Sequence, residues 1–254
     1  MTLYASLPRP TIFAHRGACA HAPENTLAAF HLALHQKSDA IELDAKLSAD
    51  GHIVIIHDQT VDRTTNSKGE VRCLSLEELK TLDAGQVYDQ AFRGERIPTL
   101  EEVFEEIGTQ TFLNIELTNY ASPTDSLPEK VAERIRDFSL DDRVLISSFN
   151  PIALRRFHQR APHIPLGLLA WAGIAGAWAR SPLGRWVPYQ ALHPATQDTN
   201  KRLIARKQRQ GFRVHVYTVN HPDKMDQLFQ WGVDGIFTDD PALARRTLEG
   251  ETGR

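Results

Sequence analysis

The stretch AIELDAKLSADGHIVIIHD, residues 40–58, decides how the chain folds. Its two runs of β-forming residues, 40–44 and 53–58, are separated by too few residues for a helical crossover. The separating residues contain Asp50-Gly51, a strong two-residue hairpin signal. The second run is therefore the antiparallel return arm of the first. If the turn centres on Asp50 and Gly51, cross-strand partners have numbers summing to 101, and His57 falls opposite Asp44.

Outward from this hairpin, strand-like runs alternate with helix-like ones. The further strands are TIFAH (11–15), TFLNIEL (111–117), RVLISSF (143–149), PLGLLA (165–170), ALHP (191–194), RVHVYTV (213–219) and GIFTD (235–239). Between them, apolar residues recur at helical spacing, as in Leu27, Phe30 and Leu34 after Asn25, a good N-cap. With the return arm set aside, eight parallel strands remain, and they predict a (β/α)8 TIM barrel as one domain over 1–254. An open doubly wound sheet is the alternative, but it has fewer strands and a Gly-rich first turn that HRGACAHAPEN lacks. Residues 59–98 far exceed an ordinary connection, which predicts a small insertion after the second strand, beside the barrel mouth.

A formal charge of -3 provides no net field for a polyanion, so nucleic acid is not an expected partner, while a small anionic substrate remains open. The N-terminal MTLYASLPRP has no signal-peptide core and the chain has two cysteines, which predicts a cytoplasmic protein. The most apolar segment, LGLLAWAGIAGAWA (166–179), is too short to cross a bilayer. It reads as a buried strand followed by a packed Gly/Ala helix, or, over 166–187, as a hydrophobic lip or a contact between copies of a homo-oligomer.

Strand alternation places Glu42 and Asp44 on one side, where two carboxylates repel unless a cation or proton lies between them. Glu116 lies near the end of its own strand, sharing a face with Phe112 and Asn114. Together Glu42, Asp44 and Glu116 supply hard oxygens suited to Mg2+ or Ca2+. Zinc fits less well, because the chain has no Cys-rich or HExxH spacing. His15 and Arg16 follow the first strand and would face the same mouth. Arg16 offers a fork that matches phosphate, and His15 and His57 can exchange protons near neutral pH. A cation, an arginine and two histidines compose a phosphodiester-cleaving site.

The segments AHRGACAHAPENT, IELDAKLSADGHIVIIHD, DRTTNSKGEV, LNIEL, ISSF, VYTVN and GVDGIFTDDP resemble, in order and spacing, the glycerophosphodiester phosphodiesterase family over about 11–242. The resemblance implies a barrel with an insertion after its second strand, a divalent metal, and hydrolysis of glycerophosphodiesters to sn-glycerol 3-phosphate and an alcohol. It implies that Glu42, Asp44 and Glu116 bind metal, that His15 and His57 are the acid/base pair, and that Arg16 binds phosphate. In-line attack would come from water, or from the substrate's neighbouring hydroxyl through a cyclic phosphate. Two positions depart from the pattern. Many members have Glu-x-Lys where this chain has Glu116-Leu117-Thr118, which puts Thr118 at a phosphate-contact position. Many have Trp-Thr-Val-Asn where this chain has Tyr217-Thr218-Val219-Asn220; Tyr217 keeps an aromatic wall and adds a hydroxyl at a position that bears on head-group preference. The competing readings are a lysophospholipase-D-like enzyme, suggested by the apolar 166–187 segment, and a non-catalytic phosphate-binding barrel, suggested by Thr118. Asp62, Arg63 and Thr64 read as fasteners of the insertion, Cys19 as a small filler, His215 as core, and Asp239 as a turn-ordering or supporting residue.

Overall fold

A computed structural model describes residues 3–250. The strands are Thr11–Ala14 (β1), Ala40–Leu47 (β2), Ile53–Ile55 (β3), Phe112–Leu117 (β4), Val144–Ser148 (β5), Leu166–Ala170 (β6), Ala191–Pro194 (β7), Arg213–Val216 (β8) and Gly235–Thr238 (β9). They form one sheet in the order β1-β9-β8-β7-β6-β5-β4-β2-β3, and β1 also pairs with β2, which closes eight parallel strands into a (β/α)8 barrel. The antiparallel β3 is the return arm outside the ring.

The hairpin register differs from the expected one by a single residue. Ala45 pairs with Ile55 and Leu47 with Ile53, so partner numbers sum to 100, and His57 is not opposite Asp44. The loop has three residues: Ser48 N donates to His52 O at 2.9 Å, and Gly51 takes the left-handed conformation at φ +81. Ile56 N donates to Asp44 O at 2.9 Å, and His57 stands one residue farther along.

The helices are Leu3–Ser6 (α1), Leu27–His35 (α2), Leu76–Thr81 (α3), Leu100–Ile107 (α4), Leu127–Asp137 (α5), Pro151–Arg160 (α6), Ala177–Arg180 (α7), Lys201–Arg209 (α8), Pro222–Gln230 (α9) and Pro241–Leu248 (α10). Capping boxes at Ser75/Glu78 and Thr99/Glu102 start α3 and α4. Thr26, rather than Asn25, caps α2, because Asn25 is left-handed at φ +57 and its side chain turns inward.

Phe30, Val131, Ile135 and Phe157 on the helices pack against Ile41, Leu43, Ile115 and Leu168 on the strands, and each such fully buried side chain contributes about 1.5–3 kcal/mol. Inside the ring, the end opposite the mouth is filled by Tyr4 of α1 with Phe13, Phe112, Leu145 and Phe237. Phe13 and Phe237 stack at 4.6 Å between ring centres. Along β4 the inward residues therefore run from apolar Phe112 through Asn114 to Glu116. The polar end of that series is the open one.

The insertion carries α3 and packs Val61, Val71, Leu79 and Ile97 onto Val54 and Ile56 of the return arm. Its Tyr88 hydroxyl donates to Ala20 O at 2.8 Å, fastening it beside the mouth. After β6 the expected packed helix is replaced by short turns and the four-residue α7, with Trp171 and Ile174 exposed. Gly173 and Gly176 sit where an apolar helix would need to propagate, and Gly173 adopts φ +67. Among the described residues, no helix is long and apolar enough to cross a membrane.

Candidate active site

Parity and register bring the acids together. Glu42 and Asp44 share the inner face of β2, and the parallel pairing with β4 sets Asp44 beside Glu116. One oxygen from each of these three carboxylates lies within 4.8 Å of the others. At such a separation two unit charges repel by roughly 3.5 kcal/mol at an effective dielectric of about 20, so the ionised trio requires a proton or a cation.

The chain supplies few compensating donors. Glu42 accepts from Arg16 N at 2.8 Å, Asp44 from Asn25 Nδ2 at 2.8 Å, and Glu116 from the Tyr120 hydroxyl at 2.6 Å. Burial, then Asp44 and Glu116, push Glu42 well above the usual carboxylate range. Burial and Asp44 push Glu116 up to about 8. Burial also pushes Asp44 upward, but Arg16, His57 and Asn25 outweigh it and hold that carboxyl low. A buried all-oxygen set whose members cannot all ionise alone fits a hard divalent cation.

Both predicted histidines line the same cavity of about 700 Å³ as the acids. His15 Nδ1 lies 2.7 Å from Asp239 Oδ1, and Asp239 is fixed in turn by Asn220 Nδ2 at 2.6 Å. His57 Nδ1 lies 2.7 Å from Asp58 Oδ1, and Arg63 donates to the other oxygen of Asp58 at 2.7 Å. With Nδ1 engaged by a carboxylate, each neutral ring carries its proton there and offers Nε2 as a base. Arg63 also donates to Glu24 at 2.6 Å, and Glu24 accepts from Arg16 at 3.0 Å, so a charge chain runs from the insertion to the first βα turn.

Arg16 sits in the cavity wall with Nε buried and without a hydrogen bond, in an ion pair with Asp44 Oδ2 at 3.4 Å. The turn that places it is left-handed at both Arg16 (φ +55) and Gly17 (φ +84). A side chain at position 17 would come within 2.7 Å of Ala29, so glycine is required there.

The rest of the cavity is aromatic. Phe149 stacks on Trp171 at 3.9 Å, and Tyr120 and Tyr217 meet Phe149 edge-on. Tyr217 is in the wall as expected, but its hydroxyl donates to Ala170 O at 2.8 Å. His193 also lines the cavity and approaches His215 Nδ1 at 3.2 Å, while His215 is fully buried core.

Thr118 requires correction: it does not reach the cavity. β4 ends at Leu117, the Thr118 backbone turns to donate to Ala45 O, and its fully buried hydroxyl donates to the same carbonyl at 2.8 Å. Lys46 Nζ from β2 donates to that hydroxyl at 2.7 Å, so a buried ammonium packs against position 118. Asp58 and Tyr120 also line the cavity, while Asn25 holds Asp44 and Lys46 holds Thr118 from behind it. Asp58 directly follows His57, and Asn25 lies inside PENT, so their positions were visible although their roles were not.

Comparison with known proteins agrees with this geometry. Residues 15–243 match the glycerophosphoryl diester phosphodiesterase family. A glycerophosphodiester phosphodiesterase from Caldanaerobacter subterraneus is 43% identical over 231 residues, covering 91% of this chain and 94% of that protein. One from Bacillus subtilis is 31% identical, covering 93% and 86%. An Oleispira antarctica phosphodiesterase, solved in complex with the product sn-glycerol-3-phosphate, superposes with a TM-score of 0.84 at 31% identity, covering 98% of this chain and all of that one. The chain belongs to the glycerophosphoryl diester phosphodiesterase family.

Proposed function

We propose that the protein hydrolyses glycerophosphodiesters to sn-glycerol 3-phosphate and an alcohol, with Mg2+ or Ca2+ held by Glu42, Asp44 and Glu116. One observation carries this reading: two imidazoles, each with Nδ1 turned to its own carboxylate, line the same cavity as the three buried acids. A cation bound there would polarise a phosphoryl oxygen as a Lewis acid. Arg16 binds the phosphate through its guanidinium. One histidine takes the proton of the attacking oxygen, which belongs to water or to the substrate's neighbouring hydroxyl. The other histidine gives a proton to the departing alkoxide as the phosphorus–oxygen bond breaks. By the second route, water then opens the cyclic phosphate. Tyr217, Phe149 and Trp171 wall the carbon portion of the substrate. The free Cys19 and Cys73 fit a reducing, cytoplasmic setting.

Glycerophosphocholine or glycerophosphoethanolamine incubated with Mg2+ or Ca2+ should release glycerol 3-phosphate, and His57→Ala should slow the release by about 10²–10⁴-fold. Release that is indifferent to both EDTA and His57→Ala overturns the proposal. Tight substrate binding without product under either metal would instead support the non-catalytic barrel. The Phe149–Trp171 stack at the open edge favours a second substrate reading, in which the glycerol moiety bears an acyl chain. Turnover of lysophosphatidylcholine against glycerophosphocholine decides between the two.

A further inference from the structure

Among the described residues, the large hydrophobic side chains left exposed fall in three segments, and four of them share one connection. Val87 and Tyr88 are in the insertion, Ile152 is in the first turn of α6, and Trp171, Ile174, Leu183 and Trp186 are in the connection after β6. Those of the insertion, of α6 and at Trp171 and Ile174 lie in segments around the mouth, while Leu183 and Trp186 lie farther along the connection that runs down the flank to β7 at Ala191. Single exposed apolar residues are ordinary, but four in one connection mark an interaction surface.

The connection after β6 is held in place in this exposed form. Arg180 donates to Trp171 O at 2.8 Å and pairs with Asp198 at 3.1 Å, and Asp198 also accepts from Gly173 N at 2.6 Å. Ile174 is 94% exposed on top of it and Leu183 72%. Leu183 and Trp186 are three apart in a 3-10 turn, so they project from the same side.

Charge says what this surface meets. The consecutive sectors Pro151–Arg160, 171–187 and Lys201–Arg209 contain ten lysines and arginines and no aspartate or glutamate, in a chain whose net charge is -3. Arg156 is neutralised by Glu129 and Arg180 by Asp198, whereas Arg155, Arg185, Lys201 and Arg202 are exposed. Arg155 lies 4.5 Å over the Trp186 ring, which joins the basic and apolar parts. A groove of about 820 Å³ beside Arg180 is lined by Lys201, Arg202, Arg206 and Arg209. Apolar tips with interfacial tryptophans, ringed by unpaired cations, match the headgroup layer of an anionic bilayer. A second copy seated on the same patch would oppose one cation cluster to another.

We propose that the connection after β6 docks on an anionic lipid surface, with Ile174, Leu183 and Trp186 entering the headgroup layer and Arg155, Lys201 and Arg202 meeting lipid phosphates. Docking this way brings the lipid surface to the edge of the cavity, because Trp171 belongs to both the connection and the cavity wall. The inference stands apart from the chemistry proposed above, because it is read by binding alone.

The full chain is sedimented with vesicles of phosphatidylglycerol or of phosphatidylcholine, at low and high salt. Binding should favour phosphatidylglycerol by about tenfold or more and weaken with salt, with a blue shift of tryptophan emission on the vesicles. Ile174→Ser combined with Leu183→Ser, and separately Lys201→Glu combined with Arg202→Glu, should each lower partitioning about tenfold while leaving turnover of a soluble glycerophosphodiester unchanged. Unchanged turnover shows that the variants are folded. Failure of the unaltered protein to bind phosphatidylglycerol, or equal binding by both variants, overturns the proposal. So does a lipid-independent dimer that dissociates in the Ile174→Ser, Leu183→Ser variant, since that result gives the lip to a second copy.

Discussion

Asp58 Oδ1 sits 2.7 Å from His57 Nδ1, and the other oxygen of that carboxylate is held at 2.7 Å by Arg63 of the insertion. Hydrogen bonds from Arg63 and His57 keep Asp58 well below the ordinary carboxylate range, so it stays charged wherever the enzyme works. The insertion thus orients one of the two imidazoles, a physical reason for it to lie at the mouth. Asp58→Asn keeps the shape and removes the charge. It should lower kcat by about 10–100-fold, with KM nearly unchanged and thermal stability within about 1 kcal/mol of the parent. Steady-state kinetics on a soluble diester checks this, and a rise in KM alone would show that Asp58 acts on binding instead.

The acid trio makes the metal-free protein sensitive to alkali. Glu116 has a folded pKa of about 8 against an ordinary 4.5, so the folded state holds a proton that the unfolded chain has released. Its contribution to stability is complete below the ordinary value and is lost as pH rises through the folded one. Metal-free protein should lose Tm across this window, and Glu116→Gln should reduce the loss. Saturating Mg2+ or Ca2+ should raise the Tm of the parent by roughly 5–10 °C and that of Glu116→Gln by much less, as measured by calorimetry with and without chelator.

The barrel was legible because strand periodicity depends on residue type alone: the alternation that sets Glu42 with Asp44 holds whatever the neighbours do. The return arm was equally plain from Asp50-Gly51. Its register was not, because a two-residue and a three-residue loop share that dipeptide, and only Gly51 taking the left-handed position with Ser48 facing His52 separates them. Asn25 looks like an N-cap by type, because residue type cannot reveal a positive φ that aims its amide at Asp44. Asp58 lies next to His57 and five residues from Arg63, yet residue type alone does not show that the three pair, and the Arg63 bond to Glu24 spans 39 residues, for which local spacing carries no signal.

His193 and His215 should make the protein sensitive to acid. Burial pushes His193 down to about 3 from 6.5, and pushes His215 well below its ordinary value as well. The unfolded chain takes up protons that the folded rings refuse, so this stability is complete above the ordinary histidine value and is lost as pH falls toward about 3. Urea midpoints at about pH 7.5 and about pH 5 should differ less in His193→Gln than in the parent. Gly167 gives the His193 ring its space, since a side-chain carbon there would lie 2.4 Å from it. Gly167→Ala should therefore cost about 1–3 kcal/mol at either pH.

Lys46 and Thr118 should behave as one unit. Lys46 Nζ donates to both the hydroxyl and the carbonyl of Thr118, at 2.7 and 3.0 Å, and burial pushes its ammonium down to about 8 against the pull of Asp44 and Glu116. A cation from β2 thus stands against position 118, where the family resemblance leads to the expectation of a lysine on β4. Thr118→Lys alone forces two ammonium groups into one buried space and should destabilise by about 1–3 kcal/mol. Lys46→Thr alone removes the cation beside the acids and should raise KM about tenfold. The exchange of both residues restores one lysine and one hydroxyl to the same space, so the double variant should recover most of each loss, with a coupling of about 0.5–3 kcal/mol in a double-mutant cycle. Strictly additive losses in urea midpoint and KM would show that the lysine acts from β2 alone and that the two positions are not interchangeable.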